Sequence, residues 1–235
     1  MHSVCGIAVL CLAATAAAQV ATPDAPQAVR PPNPNPQRFA AEIRAFGTWD
    51  TKNSSPPDAI LFTGSSTIRL WPTSQSFPEL TVINRGFGGA HISDVVHYLD
   101  QVVFKYRPRT IVFYAGDNDI ADGKSPEQVV DDFKTFVRQV REKLPETRVI
   151  FLGIKPSVAR WRLWPEMQRA NAMVREMADA DAKLDFVDTA PALLGEDGQP
   201  RASFLVADGL HMNEEGYQAW TRAVAPALAN TAGPH

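Results

Sequence analysis

Apolar residues along this chain occur in two alternating patterns: short unbroken runs, and longer stretches in which they recur every three or four positions. The unbroken runs predict strands that are buried on both faces of a sheet. These runs lie at residues 59–63, 80–84, 110–115, 147–154 and 184–187. Because the stretches between them predict helices, we expect an α/β fold, a three-layer α/β/α sandwich with a mostly parallel, five-stranded sheet.

Several of the predicted helices carry a signal for their first residue. Residues 125–128 read Ser-Pro-Glu-Gln, which combines an N-cap serine, a proline at the first helical position and a glutamine that completes a capping box. Asn213 is expected to cap the last helix. Helical spacing also predicts one continuous helix over residues 92–103, another over 165–182 and a short amphipathic helix from Phe39.

The first 18 residues predict a signal peptide. Residues 5–18 are nearly all apolar or small and end in an alanine triplet that suits cleavage. The run is too short and too rich in alanine for a comfortable membrane span. The alternative, a buried N-terminal helix, stays open. Because Cys5 and Cys11 both lie in this segment, the mature chain would contain no thiol, disulfide or cysteine-ligated metal.

The remaining chain predicts a linker followed by one domain. Residues 19–38 are rich in proline, alanine and asparagine, which predicts a flexible linker with little apolar surface to bury. Residues 39–230 have the size of one ordinary domain. With 45% apolar and 21% charged residues, the composition is typical of a soluble globular protein. A net charge of -3 without a basic run argues against a nucleic-acid partner.

Polar or glycine-rich segments follow three of the predicted strands and precede the last helix. Ser66 comes after the first strand, residues 86–89 after the second and residues 116–119 after the third, while Asp208 and His211 precede the last helix. In sheets of this class, ligands bind at the carboxyl ends of the strands. The pattern therefore predicts a site at that edge of the sheet.

These residue types match the needs of a nucleophilic serine. A serine hydroxyl requires a base to accept its proton, and histidine suits that task when an acid fixes its tautomer. An oxyanion requires hydrogen-bond donors, which the Ser66 N–H, a glycine N–H and the Asn118 amide could supply. Each residue alone also fits a structural role, such as a turn serine, a helix cap or a loop asparagine.

Together, these segments resemble those of a known family, the SGNH (GDSL-like) hydrolases, from about residue 39 to residue 220. The segments read Gly-Ser-Ser at 64–66, Asn-Arg-Gly-Phe-Gly-Gly at 84–89, Gly-Asp-Asn-Asp at 116–119 and Asp-Gly-Leu-His at 208–211. The resemblance implies a catalytic triad of Ser66 as nucleophile, His211 as base and Asp208 behind it. It further implies an oxyanion hole formed by Ser66, Gly89 and Asn118.

The resemblance also implies a flavodoxin-like sandwich and ester hydrolysis with no cofactor and no metal. One position departs from the family's pattern, since Ser65 stands where the Gly-Asp-Ser motif has its aspartate. We expect Ser65 to support the turn and to take no part in the chemistry.

A calcium-binding loop is a weaker interpretation of the residues after the third strand. Asp117, Asp119 and Asp122 have the spacing of the first ligands in such a loop. However, Ala121 occupies a ligand position and Gln128 replaces the closing glutamate. The sequence therefore favours a site without metal.

Three further features have structural interpretations at least as good as functional ones. The glycines of residues 86–89 do not complete a G-x-G-x-x-G dinucleotide loop. His91 and His97 are expected to be surface or packed histidines. Residues 160–164 contain two arginines and two tryptophans, which could form a wall for a sugar or an anion or could pack against the next helix.

The expected function is an exported serine esterase, secreted or periplasmic, that hydrolyses short-chain acyl esters such as acetyl esters, including esters on carbohydrates. The alternatives are a lysophospholipase or acyltransferase of the same fold, and a non-catalytic glycan-binding module. The expected partner is a small-molecule or carbohydrate-linked ester, with no nucleic acid and no stable membrane insertion after signal removal.

Overall fold

The computed structural model describes residues 1–2 and 30–229 and contains a five-stranded, all-parallel sheet. Its strand order is β2-β1-β3-β4-β5, the order of flavodoxin-like sheets. The strands are Ile60–Gly64 (β1), Val82–Gly86 (β2), Thr110–Tyr114 (β3), Arg148–Leu152 (β4) and Leu184–Val187 (β5). The predicted fold class is confirmed. The predicted first two strands end later than expected, because parallel pairing continues to Gly64 and Gly86.

Helices connect these strands and cover the sheet. In the described part of the chain, the α-helices are Ala40–Asp50 (α1), Ser66–Arg69 (α2), Thr73–Ser76 (α3), Ile92–His97 (α4), Leu99–Val102 (α5), Asp117–Ala121 (α6), Pro126–Lys143 (α7), Trp164–Asp179 (α8) and Glu214–Ala229 (α9). Short 3₁₀ turns lie at Pro36–Phe39, Phe104–Tyr106, Trp161–Leu163, Ala190–Ala192 and Ala202–Phe204. None of the helices between residues 30 and 229 is both long and apolar enough to cross a membrane.

Local signals correctly specified the start of two helices. Ser125 and Gln128 form the predicted capping box at the start of α7. The Asn213 side chain accepts a hydrogen bond from the Gly216 N–H at the start of α9. The prediction of one helix over residues 92–103 is wrong, because Tyr98 has non-helical backbone angles and separates α4 from α5.

The two faces of the sheet support separate apolar cores. Neighbouring strand residues point to opposite faces. Phe113 of β3 contacts Phe133 of α7 on one face, with ring centroids 5.4 Å apart. The next residue, Tyr114, contacts Trp220 of α9 on the other face at 5.2 Å. Helices are therefore packed on both faces, which produces the three layers.

The last residues of the predicted linker contact the domain. Pro36–Phe39 forms a helical turn, and the Pro36 carbonyl accepts a hydrogen bond from the Tyr98 hydroxyl at 2.9 Å. Arg38 donates to the buried Asp94 at 2.7 Å. The structured part of the chain thus extends at least three residues before residue 39. The predicted signal peptide, apart from its first two residues, and the linker up to residue 29 lie outside the described residues.

The end of β1 depends on a glycine. Gly64 has a φ of +134°, and a Cβ atom at this position would lie 1.8 Å from the Tyr114 carbonyl oxygen. The Ser65 N–H donates to that same carbonyl at 2.9 Å. Absence of a side chain at Gly64 therefore allows β1 to turn against β3, immediately before Ser66.

Replacing Gly64 with Ala should destabilise the fold strongly, because both the backbone angle and the carbonyl contact oppose a side chain. We expect a loss of at least about 3 kcal/mol in the free energy of unfolding, measured by urea denaturation. Gly123→Ala is the matched control, since Gly123 also has a positive φ but a Cβ atom there would meet no atom within 4 Å. The control should lose about 1–2 kcal/mol, and equal losses in the two variants would contradict the proposed clash.

Candidate active site

Ser66 is the first residue of α2, directly after the turn that ends β1. The first N–H groups of a helix have no partner within it. Among the described residues, the Ser66 N–H forms no hydrogen bond, so it is available to a ligand. Asn84 of β2 holds α2 in place. Its side-chain Nδ2 donates to the carbonyls of Ile68 and Trp71, at 2.7 and 3.1 Å, and its Oδ1 accepts from the Gly86 N–H. The position of α2 is thus fixed by the neighbouring strand.

The structure brings Ser66, His211 and Asp208 into one hydrogen-bonded series. His211 Nε2 lies 2.9 Å from Ser66 Oγ, and His211 Nδ1 lies 2.6 Å from Asp208 Oδ2. Because an ionised carboxylate only accepts hydrogen bonds, Nδ1 carries the ring proton. Nε2 can then accept the hydroxyl proton of Ser66. Ser66 and His211 are 145 positions apart in sequence and meet at the carboxyl edge of the sheet.

The charge of Asp208 is stabilised locally. The hydrogen bond from His211 is the main cause that lowers the pKa of Asp208 to about 2, and the backbone N–H groups of His211 and Leu210 lower it further against a small effect of burial. Both N–H groups donate to Oδ1, at 2.9 and 2.8 Å. The carboxylate is therefore ionised at neutral pH and holds the histidine in the tautomer described above.

The glycine segment after β2 is held by α1. Glu42 accepts hydrogen bonds from the Gly88 N–H at 3.2 Å and from Arg69 at 3.0 Å. Gly89 follows in a turn with a φ of +66°. In the part of the chain that the structure describes, the Gly89 N–H has no hydrogen-bond partner. It is thus free to bind a ligand.

Asn118 is connected to the same segment. Its Nδ2 donates to the Ala90 carbonyl at 3.1 Å, and its Oδ1 accepts from Arg160 Nη2 at 2.9 Å. The contact with Ala90 uses one of the two amide protons, so the second is available to a ligand. The Asn118 side chain is therefore hydrogen-bonded to Ala90, the residue directly after Gly89.

Ser65 contributes to the turn through its main chain. Its carbonyl accepts from the N–H groups of Ile68 and Arg69, at 3.0 and 3.1 Å. The Ser65 side chain is buried, and among the described residues its hydroxyl has no hydrogen-bond partner. The departure from Gly-Asp-Ser thus replaces an acidic side chain with a small one that makes no polar contact.

Comparison with known proteins identifies the family of this chain. The model of the GDSL-like Lipase/Acylhydrolase family matches residues 68–219, which is more than half of the 235 residues. The chain belongs to this GDSL-like family. It is accordingly a hydrolase that acts on ester bonds. The match includes Gly89, Asn118, Asp208 and His211 and begins two residues after Ser66.

Individual relatives of this GDSL-like hydrolase share most of its length. Platelet-activating factor acetylhydrolase IB subunit alpha1 of Bos taurus is 28% identical over 198 residues, 78% of this chain and 83% of that protein. A GDSL-like lipase of Bacteroides thetaiotaomicron superposes with a TM-score of 0.65 and 21% identity, over 83% of this chain and 98% of that one. A variant of an acetyl-xylooligosaccharide esterase from Geobacillus gives 0.58 and 16%, over 76% and 96%. The two structural likenesses concern the fold alone.

Lys155 is a buried cation beside this site that the sequence interpretation missed. Its Nζ donates to the Leu210 carbonyl at 2.6 Å, immediately before His211. Burial lowers the pKa of Lys155 to about 8, while Asp117 opposes that shift. The sequence signal that could have revealed it is a lysine directly after the apolar run that predicts the fourth strand. Lys155 thus supports the loop that carries the histidine.

The low pKa of Lys155 predicts a pH-dependent stability. Between about pH 8 and its ordinary pKa of 10.5, Lys155 is protonated in the unfolded chain and neutral in the fold. Because the unfolded state then binds more protons, the free energy of unfolding rises with pH over this range. Relative to Lys155→Met, the wild type should gain about 1–3 kcal/mol from pH 8 to pH 10.5. Urea denaturation at intervals of half a pH unit measures this difference, and a constant difference would contradict the prediction.

The three aspartates of the calcium-like pattern do not converge on one point. In the described residues, no group of three or more histidine, cysteine, aspartate or glutamate side chains could hold a metal ion. Each aspartate instead has its own protein partner: Asp117 binds Arg160, Asp119 binds Lys124, and Asp122 binds His91. His91 is consequently a buried, packed histidine, as one of the two interpretations expected.

In residues 160–164, which follow β4, some side chains pack against the core and one contacts the candidate active site. Trp164 is only 7% exposed, and its ring stacks on that of Trp161 with centroids 6.1 Å apart. The tryptophans therefore pack against the core, as the structural interpretation of residues 160–164 expected. Arg162 is exposed. Only Arg160 reaches the predicted site residues, through its contact with Asn118.

Proposed function

We propose that this protein is an exported serine esterase that hydrolyses short-chain acyl esters, such as acetyl esters, including those on carbohydrates. The observation that carries the proposal is the hydrogen-bonded series from Asp208 through His211 to Ser66. A serine becomes nucleophilic when an adjacent base accepts its proton, and an acid behind the base stabilises the imidazolium that forms. The three residues supply these three roles.

In the proposed reaction, Ser66 Oγ attacks the acyl carbon while His211 Nε2 takes the hydroxyl proton. The negative charge on the carbonyl oxygen is stabilised by the N–H groups of Ser66 and Gly89 and by Asn118 Nδ2, which form the oxyanion hole. His211 then returns the proton to the departing alcohol, which leaves Ser66 acylated. A water molecule, deprotonated by His211, attacks the acyl group, and the carboxylic acid departs as Ser66 regains its proton.

The names of two relatives support a short acyl group, because one is described as an acetylhydrolase and the other as an acetyl-xylooligosaccharide esterase. A cleft beside the histidine loop supports a larger alcohol portion. An open cleft of about 990 Å³ lies beside Asp208 and His211. Leu70 and Val206, both more than 40% exposed, contribute apolar surface to it. This apolar surface also makes a lysophospholipase the second candidate.

Fluorophosphonate labelling and an ester panel test the proposal. The probe should phosphonylate Ser66 Oγ with loss of fluoride, and mass mapping should find the label in the peptide that contains Ser66. On p-nitrophenyl esters of two to twelve acyl carbons, kcat/KM should be highest at two to four carbons. A rise toward long chains would favour the lysophospholipase. Absence of label, with glycan binding that survives Ser66→Ala, would favour a binding module.

An acyltransferase differs from an esterase in the group that accepts the acyl chain. Product analysis with and without an added alcohol distinguishes the two, because a transferase would form a new ester in place of the free acid. Export rests on the apolar run of residues 5–18, which lies outside the described residues. N-terminal sequencing of the mature protein should find residues 1–18 removed.

A further inference from the structure

Arg160 bridges two neighbouring residues at the start of α6. Its Nη1 donates to Asp117 Oδ2 at 2.8 Å, and its Nη2 donates to Asn118 Oδ1 at 2.9 Å. The Arg160 side chain is 18% exposed and the Asp117 side chain 6%. A guanidinium has rigid geometry and a permanent charge. The ion pair with buried Asp117 therefore anchors the group that contacts Asn118.

This contact determines which way the Asn118 amide faces. An amide that rotates by half a turn exchanges its oxygen and its nitrogen, and only the nitrogen can donate to an oxyanion. Arg160 has donors only, so it requires Oδ1 to face it. The Ala90 carbonyl is an acceptor, so it requires Nδ2 on the opposite side. Both neighbours select the same orientation, which keeps the second Nδ2 proton in a constant direction.

The segment that carries Arg160 is itself fastened to the histidine loop. The N–H of Ala159 donates to the Gly209 carbonyl at 3.0 Å, and Lys155 donates to the Leu210 carbonyl. The connection between β4 and α8 thus touches both the residues before His211 and the side chain of Asn118. Arg160 is therefore held relative to both halves of the candidate site.

We infer that Arg160 is a positioning residue that holds the Asn118 amide in the orientation needed to donate to the oxyanion. The inference rests on the proposed esterase function. Removing one oxyanion donor typically lowers kcat by about 10²–10³-fold. Loss of Arg160 releases the amide without removing it, so a smaller decrease is expected.

Kinetics of Arg160→Ala and Arg160→Lys on p-nitrophenyl acetate test this role. Arg160→Ala should lower kcat by about 10–100-fold with less than about threefold change in KM, because the oxyanion forms only in the transition state. Lysine retains the charge beside Asp117 but cannot bind both Asp117 and Asn118 as a fork. The kcat of Arg160→Lys should therefore lie between those of Arg160→Ala and the wild type. Arg162→Ala is the matched control, since this exposed side chain forms no hydrogen bond or ion pair within the described residues, and its kcat should match the wild type.

A double-mutant cycle separates positioning from a general loss of structure. If Arg160 acts through Asn118, then Arg160→Ala should add little to the loss already caused by Asn118→Ala. Independent, multiplicative losses would overturn the inference. If Arg160→Ala fails to fold because Asp117 is left unpaired, then Arg160→Lys replaces it in the double-mutant cycle with Asn118→Ala.

An NMR measurement observes the Asn118 amide directly. The side-chain amide signals of Asn118, assigned by their loss in Asn118→Ala, should shift or broaden in Arg160→Ala and stay unchanged in Arg162→Ala. Unchanged signals in Arg160→Ala would overturn the inference, and so would altered signals with a wild-type kcat. Full hydrolysis by Ser66→Ala would instead overturn the proposed function, and that variant leaves Arg160 in place.

Discussion

Ser66→Ala is expected to lower kcat for short-chain p-nitrophenyl esters by about 10⁴–10⁶-fold. The variant removes the oxygen that would form the acyl-enzyme, and His211 then has no hydroxyl from which to accept a proton. The residual rate would come from water and the remaining oxyanion donors. Steady-state assays on purified protein, with active-site titration of the wild type, measure the loss.

Ser65→Ala is the matched control for this experiment. Ser65 precedes Ser66, is buried and makes no side-chain hydrogen bond within the described residues. Removing an unpaired buried hydroxyl is expected to be neutral or stabilising. Ser65→Ala should therefore keep wild-type activity. Hydrolysis that survives in Ser66→Ala and disappears in Ser65→Ala would identify Ser65 as the nucleophile and contradict this prediction.

Asp208→Asn should lower kcat by about 10³–10⁴-fold while the protein stays folded. The amide oxygen can still accept the backbone N–H groups of Leu210 and His211. However, the amide nitrogen that replaces Oδ2 is a donor, so it favours a histidine with an unprotonated Nδ1. Nε2 would then carry the proton and could not accept one from Ser66. We therefore expect Asp208 to act mainly through the tautomer of His211.

Asp197→Asn separates that effect from the loss of a turn. Asp197 lies in an exposed turn and accepts the Gln199 N–H two residues later, much as Asp208 accepts the Leu210 N–H. It has no contact with a histidine among the described residues. Its substitution should leave kcat unchanged. A similar decrease in the two variants, or full activity of Asp208→Asn, would contradict the role of Asp208 as the acid of the triad.

The oxyanion donors connect these predictions with the role of Arg160. Ser66 and Gly89 would donate through backbone N–H groups, whose directions are set by turns. Asn118 would donate through a side chain, which needs additional contacts to stay in one orientation. The site thus needs a positioning residue for Asn118 that the two backbone donors do not need.

Much of the fold could be predicted because its signals are local. Strands buried on both faces have continuous apolar runs, and the capping box of residues 125–128 marks the start of α7 within one turn. The alternation of strands and helices then implies parallel strands whose carboxyl ends share one edge. This reasoning sufficed to bring Ser66 and His211 to the same edge without any knowledge of packing.

Two segments differ from what their local pattern predicts, and in both a side chain contacts a distant part of the chain. Apolar spacing over residues 92–103 predicts one helix, yet the helix is interrupted at Tyr98, whose hydroxyl binds the carbonyl of Pro36. Residues 36–38 read as linker by composition, but they pack on the domain. Neither contact leaves a periodic signal, because the partners are more than 50 residues apart.

The amino-acid sequence by itself determined the order of strands and helices and the residue types that can form a serine esterase site. Tertiary structure alone decided how those residues are oriented. Asn84 holds the short helix that begins at Ser66, Lys155 holds the histidine loop and Arg160 orients Asn118. Periodicity reports which face of an element is buried, whereas hydrogen-bond direction depends on atoms that only the packed chain brings together.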